Sequence, residues 1–151
     1  MLSIIKSIAL QGLQGYLVSS QVDVSSGIPN FEIVGLPDIT VKESKERIKT
    51  AIKNSGLEFP SRKIVVNLSP ANIRKEGSIF DLPIAIGLLI STGNIVNQHL
   101  EEYLKNTIII GELSLNGNVE KIKEATIYIK ELYEQVKEVK EIGRASCRER
   151  V

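Results

Sequence analysis

The sequence predicts an α+β sandwich: a mixed or mostly antiparallel α/β sheet with helices on one side. Three observations point there. Strand-like segments come in pairs joined by glycine-bearing turns, helical segments alternate with them, and one helical segment is apolar all round and so expected to be buried.

Ser3–Leu10 and Tyr16–Val24 are rich in isoleucine, valine and leucine, and Gln11-Gly12-Leu13-Gln14-Gly15 between them reads as a hairpin connection. In the second segment Leu17, Ser19, Gln21 and Asp23 alternate with Val18, Ser20, Val22 and Val24, the period of a strand with one wet face. Gly27, Pro29 and Asn30 mark the next turn, before a short strand at Phe31–Val34. Thr40 and Glu43 then form an S/T-x-x-E pair, which predicts a helix opening on a capping box. Its apolar stripe is Val41, Ile48, Ala51 and Ile52, and Gly56 supplies its stop. The Lys/Glu/Arg run on this helix, with Lys42–Glu46 and Glu43–Arg47 at helical spacing, reads as a solvated face, a partner-docking face being the alternative.

Lys63–Leu68 predicts a strand inside the sheet, because Ile64, Val65 and Val66 are consecutive apolar residues. Ser69–Ser78 is a polar loop. Asp81 is expected to cap the next helix, with Pro83 tolerated in its first turn. Leu82, Ile84, Ala85, Ile86, Leu88, Leu89 and Ile90 leave that helix no polar face, and Gly93-Asn94 ends it. Leu100–Leu104 reads as a short helical connector and Thr107–Glu112 as a buried strand. Asn116-Gly117 reads as a tight turn into Val119–Ile122, and Lys123–Val139 as a surface helix carrying Ile127, Leu132 and Val136 among charges.

The chain's 151 residues suit one domain. Glu141–Val151 is set apart: it resembles, codon for codon, the in-frame translation of a short-read sequencing adapter, and is expected to be an artefactual tail outside the fold. Residues 1–140 then form the domain. Without the tail the chain loses three arginines, two glutamates and its only cysteine, Cys147, leaving 16 basic and 16 acidic side chains. Such a balance gives no disulfide framework, no thiolate metal site and no overall basic excess for nucleic acid. His99 is the only histidine, which argues against zinc or a His-dependent triad. The N-terminus has no signal-peptide pattern, and the longest apolar run, Leu82–Ile90, is about half the ~20 residues of a membrane span. A soluble cytoplasmic protein with no membrane partner is expected.

Five ordered blocks carry more information than the composition. They are Val34-Gly35-Leu36-Pro37-Asp38, Val41-Lys42-Glu43-Ser44-Lys45-Glu46-Arg47, Val66-Asn67-Leu68-Ser69-Pro70-Ala71, Arg74-Lys75-Glu76-Gly77 and Phe80-Asp81-Leu82-Pro83-Ile84-Ala85. Together they resemble the N-terminal domain of the magnesium-chelatase-like AAA+ ATPases of the ComM/YifB type, with weaker agreement from Met1 to about Ala125. The resemblance implies the βαβ fold shared with the proteolytic domain of Lon, with the GHMP kinases and with the second domain of a small-subunit ribosomal protein. It also implies a domain incomplete at its C-terminus. The implied function is that of an accessory domain in an ATP-dependent ring motor that processes DNA in recombination or natural transformation. Its partners would be the protein's own AAA+ module and neighbouring ring subunits, with DNA engaged through the parent protein.

No catalysis is expected in this chain. No G-x-x-x-x-G-K-[ST] loop is present, and Gly12/Gly15 and Gly111/Gly117 read as turns, so ATP and magnesium are expected only in a module outside the sequence. Asp23, Asp38, Glu76 and Asp81 lack the spacing of an oxygen-ligand loop. The alternative function is a diverged Lon-like Ser/Lys peptidase. By register the serine position falls on Ile79, with Ser78 one residue early, and the lysine position falls on Thr126, between Lys123 and Lys130. The remaining polar concentration is the candidate contact loop Asn67, Ser69, Arg74, Lys75 and Glu76. It either touches DNA phosphate or a neighbouring subunit, or is structural, with Arg74 paired to Glu76 or Asp81.

Overall fold

Residues 1–11, 14–122 and 141–142 are described by a computed structural model. Strands β1 (Leu2–Gln11) and β2 (Gln14–Ser25) form a long antiparallel hairpin, with Leu2 opposite Asp23 and Gln11 opposite Gln14. β3 (Asn30–Val34) runs through helix α1 (Ile39–Asn54) into β4 (Lys63–Ser69), which lies parallel to β3 and antiparallel to β2. That is a βαβ unit. Helix α2 (Asp81–Ser91), the short α3 (Leu100–Lys105) and β5 (Thr107–Ile108) follow, then a separate hairpin of β6 (Glu112–Leu113) and β7 (Val119–Glu120). β5 pairs parallel with β1, and β8 (Glu141–Ile142) pairs parallel with β5. The main sheet has the order β3-β4-β2-β1-β5-β8, a mixed sheet in an α+β fold.

The core lies on one face of this sheet. Val22 stands opposite Val66, and Val66 opposite Ile33, so three adjacent strands bury one row together. α2 packs over β1 and β2 and against α1. Leu88 and Ile84 are fully buried, each contributing about 1.5–3 kcal/mol by its removal from water. Gly87 allows the close approach, since a Cβ there would lie 2.7 Å from a Val22 methyl. Polar groups share the contact: the Ser3 hydroxyl donates to the Gly87 carbonyl at 2.6 Å, and the Ser91 hydroxyl donates to Ser3 Oγ and to the Val22 carbonyl.

Several sequence expectations change. Asp38, not Thr40, caps α1: its backbone is extended and its Oδ1 accepts from the Val41 amide at 2.7 Å, so the helix starts one residue before Thr40. Phe80 occupies the cap position of α2, and Asp81 is already helical because its carboxylate is taken by more distant groups. Thr107–Glu112 is not one strand. After Ile108 the chain leaves the sheet, and Gly111 exchanges backbone bonds with Ile79 and Leu82 at the start of α2. The strand expected at Val119–Ile122 is limited to Val119–Glu120. Glu141 and Ile142, the head of the segment set aside as a tail, lie at the sheet edge beside Thr107 and Ile108. The helix expected at Lys123–Val139 lies outside the described residues.

Candidate functional site: the interlocked motif loops

The five sequence blocks meet at the end of the sheet where β3 and β4 leave it. Gly35, at φ +102°, lies against the Leu68 backbone. Leu36, also at positive φ, offers its carbonyl to the Lys75 amide at 3.0 Å, and the Lys75 carbonyl accepts from the Asp38 amide at 3.0 Å. Pro37 and Lys75 therefore sit side by side as a parallel bridge. The loop after β4 thus folds back over the turn that begins α1. Asp38 uses its amide to hold the loop and its carboxylate to cap the helix.

A second junction ties α1 to α2. Arg47 Nε donates to Asp81 Oδ2 at 2.7 Å and its Nη2 to Oδ1 at 3.0 Å, a two-point guanidinium–carboxylate pair. The Ser44 hydroxyl donates to Oδ1 at 2.5 Å, and the Leu113 amide to Oδ2 at 3.1 Å, which brings in β6. Asp81 is fully buried and Arg47 mostly so. Burial pushes the Asp81 carboxyl up, against the pull of Arg47 and Ser44, while the Asp81 hydrogen bond raises the Arg47 guanidinium further. With every carboxylate lone-pair direction occupied by chain donors, this cluster is built to hold two helices and a hairpin together.

The predicted contact loop divides. Arg74 is exposed and paired with exposed Glu76 at 3.4 Å, so Arg74 pairs with Glu76 and Asp81 with Arg47. An exposed pair of this kind contributes about 0–1 kcal/mol and offsets the charge that Arg74 would offer a phosphate. Asn67 donates from Nδ2 to Gln21 Oε1 at 3.0 Å, and Ser69 ends β4 opposite Ser19. Lys75 is not on the surface. It is fully buried and its Nζ donates to the Pro70 carbonyl, so it is not a phosphate contact beside Arg74. Nothing in the residues around Lys75 signals this, because the burial follows from the loop folding onto Leu36 and Asp38.

Desolvation lowers the Lys75 ammonium below the ordinary lysine value of 10.5. The folded chain therefore holds fewer protons here than the unfolded chain between the two values, and stability rises as pH climbs through that alkaline window. Lys75→Met is expected to flatten this part of the curve, read as urea-unfolding free energy of both chains against pH. An identical slope in the two chains would place Lys75 in water.

For the peptidase alternative, Ile79 is buried and apolar where the serine is required, and the Ser78 carbonyl accepts from the Asp81 amide. Lys123, Thr126 and Lys130 lie outside the described residues. Among the described residues no three His, Cys, Asp or Glu side chains converge on a metal position, and no helix is long and apolar enough to cross a membrane.

The family model described as subunit ChlI of Mg-chelatase matches residues 20–141, which includes every one of these junctions. The chain belongs to that family. Within the ChlI family it is similar to the Escherichia coli K12 protein YifB, 43% identical over 116 residues, covering 77% of this chain and 22% of YifB. It is similar also to the competence protein ComM of Haemophilus influenzae, 42% identical over 118 residues, 78% of this chain and 22% of ComM. A Mycobacterium bovis protein of unassigned role is 37% identical over 117 residues, 78% of this chain and 22% of its own length. The chain thus spans about a fifth of the length of these curated relatives, and it corresponds to the N-terminal domain of the ComM/YifB type. The resemblance read from the five blocks is shown by these matches.

Proposed function

We propose that this ChlI-family chain is the accessory domain of a larger cytoplasmic, ATP-dependent DNA-processing ring motor, and that it has no catalysis of its own. What supports the reading is the use made of the five blocks: Gly35, Asp38, Arg47, Lys75 and Asp81 all spend their special chemistry on holding loops and helices. ATP does not fit the described residues, since no glycine-rich loop carries the lysine and hydroxyl that phosphates require. Magnesium fits no better, given the lack of a converging acidic set among those residues. Both belong, in this reading, to a further module of the longer protein, and this domain's partners are that module and the neighbouring subunits of the ring. The domain itself is read as a diverged member of the Lon-type βαβ folds.

Two measurements test this. The chain alone is expected to release no phosphate from ATP with magnesium and to take no label from a serine-reactive covalent probe. In a full-length relative, removing the segment matching residues 1–140 is expected to leave ATP hydrolysis and to weaken ring assembly, read by light scattering. Hydrolysis by this chain, or probe label mapped to Ser78, overturns the reading.

A further inference from the structure

A groove of about 330 Å³ opens between α1 and the segment leading into β4, lined by Lys45, Lys49, Lys53 and Arg62 with Phe31 and Phe59. Glu46 is the one carboxylate in its wall, and Asn30 and Ser61 add neutral polar groups. The two rings stack, with centroids 5.8 Å apart and planes at 23°, and the Lys49 ammonium lies 5.9 Å from the centre of the Phe59 ring. Among the described residues none of the four cations has a carboxylate within ion-pair distance. The groove therefore collects uncompensated positive charge beside aromatic surface in a chain that is charge-balanced overall.

We propose that this groove binds single-stranded nucleic acid, with phosphates along the Lys45–Lys49–Lys53 row and Arg62, and an unpaired base against the Phe59 ring. The three lysines follow one another at four-residue steps of α1, about 6 Å apart along its axis, close to the reach of one nucleotide in an extended strand. A row of that spacing serves a polyanion better than a single phosphate. Phenylalanine rings select a flat π-face, which a nucleobase has and an acidic peptide lacks. A duplex hides its base faces in the stack, so the ring is of use only to an unpaired strand. The lysine repeat was legible in the sequence as charge on a helix face. Phe59 and Arg62 join it only because the chain turns back after Gly56.

The inference rests on the chemistry of the groove, not on how the domain seats on an ATPase. Either can fail without the other, since the accessory role is decided by assembly and hydrolysis in the longer protein. The test is fluorescence anisotropy of a short labelled oligothymidylate with the full chain. Arg144→Gln, Arg148→Gln and Arg150→Gln are combined in a parallel protein, so that the terminal arginines are not the source of binding. Dissociation constants on the order of 10⁻⁶–10⁻⁴ M are expected, with a log–log salt slope of about −2 to −3 for three to four phosphates. Lys49→Glu with Lys53→Glu, both exposed positions, is expected to weaken binding at least about tenfold with the fold intact by circular dichroism. Phe59→Leu is expected to weaken it severalfold while keeping an apolar packing partner for Phe31. The proposal is overturned by no binding, by a duplex binding as tightly as the single strand, or by polyglutamate competing equally. It is overturned also if binding survives the double lysine variant, or falls instead with Arg74→Glu.

Discussion

Replacing Asp81 with alanine is expected to cost about 3–5 kcal/mol of folding free energy, the range for removing one partner of a buried ion pair. The loss has three parts. Arg47 keeps its charge but loses its two-point acceptor, and the buried Ser44 hydroxyl loses the oxygen it donates to. The Leu113 amide is left without its acceptor beneath the β6–β7 hairpin. Urea unfolding with an unchanged slope measures the total. The pair is not needed for stability as such, since well-packed apolar groups in its place are often neutral or better. Arg47→Met with Asp81→Leu should therefore cost less than the two single losses added together, through a coupling of about 0.5–3 kcal/mol. An Asp81→Ala cost below about 1 kcal/mol would mean that water reaches the cluster and takes the carboxylate's place.

That cluster marks the boundary of what the sequence discloses. Alternation in Leu17–Val24 told which side of β2 is wet, and the helical stripe through Val41, Ile48, Ala51 and Ile52 told which side of α1 is buried, because both patterns repeat over one local element. The burial of α2 was equally legible from its missing polar face. Partners of charged side chains were not. Glu43–Arg47 at helical spacing was visible and forms at 3.7 Å, but the stronger partner of Arg47 lies 34 residues away. Asp81 offered two local roles, capping its own helix or pairing with a neighbour in the loop, and tertiary packing assigned it neither.

The candidate loop divides for a related reason. Arg74 and Lys75 are adjacent and chemically alike, yet one is in water and the other is fully buried. The Lys75 amide donates to the Leu36 carbonyl and the Lys75 carbonyl accepts from the Asp38 amide, which fixes Lys75 from both sides, and those bonds join residues far apart in sequence. A polar loop can be found by composition. Which of its side chains turns inward depends on what the loop is folded against.

Gly35→Ala is expected to be the most damaging single-atom addition, at about 4 kcal/mol from backbone strain and overpacking together. At φ +102° an alanine is already disfavoured, and its Cβ would stand 2.2 Å from the Leu68 carbonyl oxygen and 2.9 Å from the Leu68 carbonyl carbon. Those are backbone atoms of β4, whose Leu68 sits in register with Ser20 of β2, so relief means moving an inner strand. Shifting Gly35 instead would displace Leu36 and Asp38, and with them the bonds to Lys75 and the cap of α1. Gly56 provides the comparison. It too has positive φ, +81°, but a Cβ there meets nothing within 4 Å, so Gly56→Ala should cost only the backbone preference, about 1–2 kcal/mol. Thermal or urea unfolding of the two variants side by side separates crowding from conformational preference. Equal losses at the two glycines would show that the turn after β3 has room that the contact with Leu68 denies it.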